Sequence, residues 1–239
     1  MPVGLIYMLS NSAASDSPAA PRRALLTGAS GLVGSALLRM LLAGDAYQRI
    51  SVLARREVAL TDYRLSVRVV DFERIAQLED FPAVDDVYCC LGSTIKAAGS
   101  KAAFRRVDLD YVAELARCAR RAGATRLAVV SAMGADSRSS VFYSRVKGDM
   151  ETVVRALDYE SVTIVRPSLL AGERTERRPG ERVALAIAQP LSVLMPRRYR
   201  PIRASAVARA LLHFQLQGRS GVRVVESDRL QDFVEPRAS

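Results

Sequence analysis

The chain has little of several things, and each shortage narrows what it can be. It contains no tryptophan, one histidine and three cysteines in 239 residues. Cys89, Cys90 and Cys118 are too few, and too irregularly spaced, for a disulfide scaffold or a zinc site. Free thiols fit a reducing cytoplasm most simply. Aromatic residues make up 6% of the sequence, which leaves few platforms on which single-stranded bases could stack. No apolar run approaches the roughly 20 residues that span a bilayer. The run from Val3 to Leu9 is short, holds Gly4 and has no basic segment before it. Residues 1–22 therefore read as a flexible Ser/Ala/Pro-rich leader and not as a secretion signal.

Lysine is also scarce. The formal charge of +10 comes almost entirely from arginines scattered between Arg22 and Arg237. That distribution suits the binding of a phosphorylated small molecule better than a nucleic-acid groove. No nucleic-acid partner is expected.

What is abundant is aliphatic sequence in a repeated order. Strand-like runs occur at residues 23–29, 49–55, 65–72, 85–92, 126–132 and 161–170. Helical patterns separate them at 32–43, 109–122 and 143–157. Buried strands alternating with helices predict a parallel sheet covered on both faces, an α/β doubly wound fold. Length allows a single domain over residues 23–239. Its last part, 171–239, reads as a less regular region on the substrate side. There "RRPGER" (177–182) and "MPRRYRP" (195–201) are basic, and "SAVARALLHFQLQ" (205–217) is helical. The basic clusters are candidate contacts for a charged substrate, or solvated loops. His213, in that helix, has no visible partner and reads as a partly buried structural residue. Cys89 and Cys90 read as small core residues.

"LLTGASGLVGSALL" follows the first strand and places glycine at 28, 31 and 34. Gly28 permits the turn, Gly31 lets backbone approach a pyrophosphate, and Gly34 brings helix and sheet together. The helix N-terminus then presents free N–H groups to phosphate. At the end of the second strand, where an acid would bind the ribose 2′-hydroxyl of NAD, stand Arg55 and Arg56. A guanidinium matches a 2′-phosphate, so NADP(H) is preferred and NAD(H) remains an option. Asp71, ending the third run, is a candidate partner for the adenine amino group or a helix cap. Leu91, Gly92, Ser93 and Thr94 leave the fourth strand where a cofactor crevice should open.

Ser131 ends the fifth strand. Tyr143 follows at the start of the next helix, with Lys147 one turn on along the same face. A free tyrosine ionises near pH 10, too high for a good base, so a neighbouring cation is needed to lower it. Lys147 would do this, Tyr143 would act as general acid/base, and Ser131 would hold the substrate oxygen. Ser139, Ser140 and Ser144 are nearby hydroxyls that could replace Ser131.

The ordered pieces "TGASGLVG", "VVDFE", "CLGST", "VVSAMGAD", "YSRVKGDME" and "VRPSLL" resemble the atypical short-chain dehydrogenases/reductases. They resemble most the subgroup of proteins related to the Tat-interacting tumour suppressor and their epimerase-like bacterial homologues. The resemblance spans about Arg23 to Leu212. It implies cofactor contacts from Ser30, Leu32, Val33, Phe72, Arg166 and Pro167 besides those above, and Lys147 on the nicotinamide ribose. It implies hydride transfer to or from a small carbonyl or alcohol substrate, in a monomer or dimer. A sugar-nucleotide epimerase or dehydratase with bound NAD(P), and a non-catalytic NADP(H)-sensing or scaffold protein, are the alternatives.

Overall fold

The computed structural model describes residues 22–171 and 195–234. Residues 1–21 of the expected leader and the "RRPGER" cluster lie outside them, while Arg22, assigned to that leader, begins the first strand.

Seven strands form one sheet in which every neighbouring pair is parallel: β1 (Arg22–Thr27), β2 (Tyr47–Ala54), β3 (Leu65–Val69), β4 (Asp86–Cys89), β5 (Arg126–Val130), β6 (Ser161–Arg166) and β9 (Gly221–Glu226). Their spatial order is β3-β2-β1-β4-β5-β6-β9. Between β1 and β4 the winding reverses direction, and at such a point an open α/β sheet leaves a crevice beyond its carboxyl edge. A separate two-residue ladder joins β7 (Leu170–Ala171) to β8 (Ile202–Arg203). It holds the segment from Met195 onward against the exit of β6, with the Ile202 amide donating to the Leu169 carbonyl at 2.9 Å.

Side chains along the central strands alternate between two cores. Ala24 and Leu26 of β1, Ala128 of β5 and Val165 of β6 face one side. Leu25, Leu127, Val129, Val162 and Ile164 face the other. The first side is covered by α1 (Leu32–Ala43) and α6 (Ala204–Gln217), and the second by α4 (Tyr111–Arg121) and α5 (Phe142–Arg155). On α1, Leu37 and Leu38 are wholly buried, and Val33 and Leu41 nearly so. Burial of that kind contributes about 1.5–3 kcal/mol per side chain, ample to hold the helix whose first turn must meet a ligand. Short helices α2 (Ile95–Ala98) and α3 (Lys101–Arg105) lead into a π-helical turn, Arg106–Asp110, before α4. The α7 turn (Ser227–Leu230) and a 3-10 turn (Gln231–Phe233) follow β9.

The doubly wound α/β fold is as expected. The expected strands run longer than those observed at their carboxyl ends, because the last residues of each turn away from the sheet into the crevice loops. The C-terminal region is more regular than its sequence suggests. Its helix α6 is one of the covering layers, and β9 is a seventh strand beside β6. His213 is exposed and not partly buried. Its ring lies edge-on to Phe214 at 5.1 Å and its Nε2 meets the Gln217 amide at 2.8 Å.

At the amino edge, far from the crevice, the fully buried Asp86 carboxylate accepts from Tyr47 at 2.5 Å, from Arg126 at 2.5 Å and from Arg22. Buried acids survive when paired in this way.

Candidate active site

The glycine loop is shaped by close packing. Gly28 has φ +76°, and a Cβ there would lie 2.3 Å from the Cys90 carbonyl oxygen. A Cβ on Gly34 would lie 2.1 Å from the Gly28 carbonyl oxygen. Loop, helix α1 and the exit of β4 therefore touch through backbone. Gly31 is the N-cap of α1, with no side chain accepting from the first turn and no acid in that turn. Its orphan N–H groups and helix dipole suit an anion such as a pyrophosphate. Gly34→Ala is expected to push α1 off the loop. Stability should fall by about 1–3 kcal/mol and dinucleotide binding with it, as read by thermal unfolding with and without NADPH.

The other expected cofactor residues divide. Ser30 is exposed at the tip of the loop, Leu32 is half-buried, and Val33 belongs to the core. Arg55 and Arg56 are exposed directly after β2, and neither has a carboxylate partner among the described residues. The Asp71 carboxylate accepts from the Glu73 amide at 3.0 Å, so it serves as the cap of a short 3-10 helix. Phe72 is 4% exposed, and its ring packs in the core against Tyr111 at 5.8 Å. Leu91 packs on the core beside exposed Gly92, and Thr94 caps α2 by accepting from the Ala97 amide. Arg166 is occupied by two glutamates, and the Pro167 carbonyl accepts from the Met133 amide at 2.9 Å.

Tyr143 and Lys147 stand together on α5 above this crevice. The Tyr143 ring stacks on Phe104 at 5.2 Å, and its hydroxyl makes no hydrogen bond among the described residues. Lys147 is 3% exposed. Its ammonium is 2.7 Å from Asp108 Oδ1 and donates to the Val130 carbonyl at 3.5 Å. The other Asp108 oxygen accepts from the Ser93 amide at 2.8 Å. A Cβ on Gly92 would lie 3.4 Å from Asp108 Oδ1 and 3.8 Å from Lys147 Nζ. The loop leaving β4 thus runs from the glycine turn at Cys90 to the lysine at Gly92. Burial raises the Tyr143 phenol above its ordinary value; Lys147 pulls it down and Asp108 pushes it up again. The net direction is upward, where the sequence had suggested that the lysine would lower it.

Ser131 is not drawn to Tyr143. Its hydroxyl donates to Glu151 Oε1 at 2.6 Å. Glu151 is 3% exposed and also receives both arms of Arg166, at 2.8 and 2.7 Å, with Arg155 at 3.4 Å. Arg166 reaches on to Glu226 at 2.8 Å. This network ties the ends of β5, β6 and β9 to α5, which fixes the helix that carries Tyr143 and Lys147.

Asp108 and Glu151 are the site residues that sequence reasoning missed. Each left a trace. Lys147 falls on the buried face of α5 with Val146, Met150 and Val154, and a buried lysine requires a partner. Glu151 lies one turn beyond it on the same face.

A family model described as "NAD(P)H-binding" matches residues 28–214. The chain belongs to that family. Within this NAD(P)H-binding family it is 35% identical over 163 residues to Protein HTATIP2 of Rattus norvegicus, covering 66% of this chain and 67% of the relative. It is 34% identical over 166 residues to the mitochondrial protein fmp52 of Emericella nidulans, covering 66% and 71%. Among solved structures, a short-chain dehydrogenase/reductase family oxidoreductase from Burkholderia thailandensis superposes with TM-score 0.63 at 20% identity, over 88% of this chain and 93% of that one. The Bordetella bronchiseptica enzyme WbmG, in complex with NAD and UDP, gives 0.64 at 18%, over 92% and 83%. These structural likenesses establish the fold. The resemblance to atypical short-chain dehydrogenases/reductases holds. No helix among the described residues is long and apolar enough to cross a membrane.

Proposed function

We propose that this protein is an NADP(H)-dependent oxidoreductase acting on a carbonyl/alcohol pair, with Tyr143 as general acid/base. The reading is carried by one observation: the loop leaving β4 packs against Gly28 at Cys90 and against the Lys147–Asp108 pair at Gly92. Phosphate-binding loop and proton-handling pair therefore share one crevice. The nicotinamide, when bound, supplies or accepts the hydride. Tyr143 gives a proton to the substrate oxygen or takes one from it, with a hydroxyl that no other described group holds. Lys147, its charge partly offset by Asp108, would steady the phenolate only in part and would offer its ammonium to the ribose hydroxyls. Ser131, with its proton given to Glu151, braces the β5 exit and leaves the substrate oxygen to Tyr143.

Arg55 and Arg56, with no carboxylate partner among the described residues, would take the 2′-phosphate. Arg55→Asp is expected to weaken NADPH by about tenfold to a hundredfold and NADH far less, as read by fluorescence titration. An unchanged preference would remove Arg55 from the site.

A second reading, a nucleotide-sugar epimerase or dehydratase, draws on neighbours such as WbmG with NAD and UDP. It would use the same tyrosine and lysine with a cofactor that stays bound. Purified protein that carries NAD(P) and does not exchange it would favour that reading. Tight NADPH binding without turnover over a broad carbonyl panel would favour a binding protein.

A further inference from the structure

A lysine one turn from a tyrosine lowers the cost of the phenolate in full only if its charge is free. Here it is not. Asp108 lies 2.7 Å from the ammonium, and both side chains are buried. To a third group, an ion pair presents a dipole, whose field falls off faster than that of a single charge. Among the described residues, the other elements around Tyr143 offer no replacement cation. From α3 it is faced by the Phe104 ring. Lys101 of α3 and Arg145 of α5 lie over the Phe142 ring instead, at 5.5 and 5.8 Å. From β4, Cys89 is buried, and burial pushes its thiol up. Ser131, the expected hydroxyl donor at the end of β5, points to Glu151. The charges acting on the phenol are thus Lys147 and Asp108, of opposite sign.

Resting on the oxidoreductase reading above, the geometry points to Asp108 as the residue that keeps the site in its acid form. Burial of the phenol favours its protonated form first, and Asp108, by pairing with Lys147, offsets part of the charge that would draw the proton off Tyr143, so the resting site is ready to protonate a carbonyl. The substrate class that meets this state is an aldehyde or ketone, reduced with NADPH. The carbonyl carbon gains hydride, the oxygen gains the Tyr143 proton, and the tyrosine is re-protonated from solvent. The overall equilibrium is untouched; Asp108 sets the pH range in which the acid form is present. It acts through Lys147, as a positioning residue for charge.

The test needs no substrate. The protein is labelled with 3-fluorotyrosine, whose phenol ionises at lower pH, so that the titration falls where the fold survives. The Tyr143 fluorine signal is assigned by its loss in Tyr143→Phe. In Asp108→Asn the amide still accepts from the Ser93 amide, but the lysine charge is uncovered. The Tyr143 midpoint should fall by about one pH unit, with Asp108→Glu restoring it. An unchanged or raised midpoint in Asp108→Asn overturns the proposal. Should that variant not fold, Asp108→Asn combined with Lys147→Met removes both charges. A midpoint close to that of the unsubstituted protein then shows cancellation, and a rise of a unit or more shows that the lysine acted uncancelled. Failure of the oxidoreductase reading itself has a different signature: the folded protein would consume no NADPH over a panel of aldehydes and ketones, whatever the Tyr143 midpoint.

Discussion

Tyr143→Phe should lower hydride transfer by about 10²–10⁴-fold and leave NADPH affinity nearly unchanged. The expectation is sharp because the hydroxyl has so little else to do. It makes no hydrogen bond among the described residues, and the ring's stacking on Phe104 at 5.2 Å is kept by phenylalanine. No buried network is broken, so a loss of turnover is a loss of chemistry. NADPH consumption over a panel of aldehydes and ketones, with thermal unfolding beside it, gives the measurement. Near-normal turnover in a folded variant would move the acid/base role to another group.

Glu151→Ala should be strongly damaging to stability near the site. Removing one partner of a buried pair strands the other, at a cost of about 3–5 kcal/mol. The low end applies here, because Arg166 is 21% exposed and keeps Glu226. A loss of about 3 kcal/mol corresponds to a fall in Tm of about 6–12 °C for a chain of this size. The same truncation at Glu226, which is 47% exposed, should cost under about 1 kcal/mol. Ser131→Ala should cost about 1 kcal/mol alone and less once Glu151 is gone, since the two share one hydrogen bond. Denaturant unfolding of the single and double variants measures both. Full additivity would show that the Ser131–Glu151 contact contributes nothing.

Locally coded features were legible in the sequence. Helix α1 runs from Leu32 to Ala43 as its periodicity indicates, because Gly31 and Gly44 bracket an apolar face that repeats every three to four residues. Five interior strands stand where aliphatic runs stand, because a strand buried on both faces needs no partner pattern to be recognised, and the edge strand β3 was marked by the alternation of Leu65, Val67 and Val69. The seventh was missed. In β9 Val222, Val224 and Val225 are interrupted by Arg223, its burial is partial, and its pairing with β6 joins residues about sixty positions apart. An edge strand carries only half of the apolar signal.

By itself, then, the sequence determined the doubly wound α/β class, the glycine turn and the Tyr143–Lys147 pair, since each rests on neighbours a few residues apart. Only the tertiary structure decided where the charges go. Ser131 turns to Glu151, Lys147 to Asp108 and Arg166 to Glu151 and Glu226, and Asp71 and Phe72 are taken by a cap and by the core. The reason is physical. A buried charge must find its opposite, and which opposite lies within reach is fixed by how strands and helices far apart in the chain are packed together.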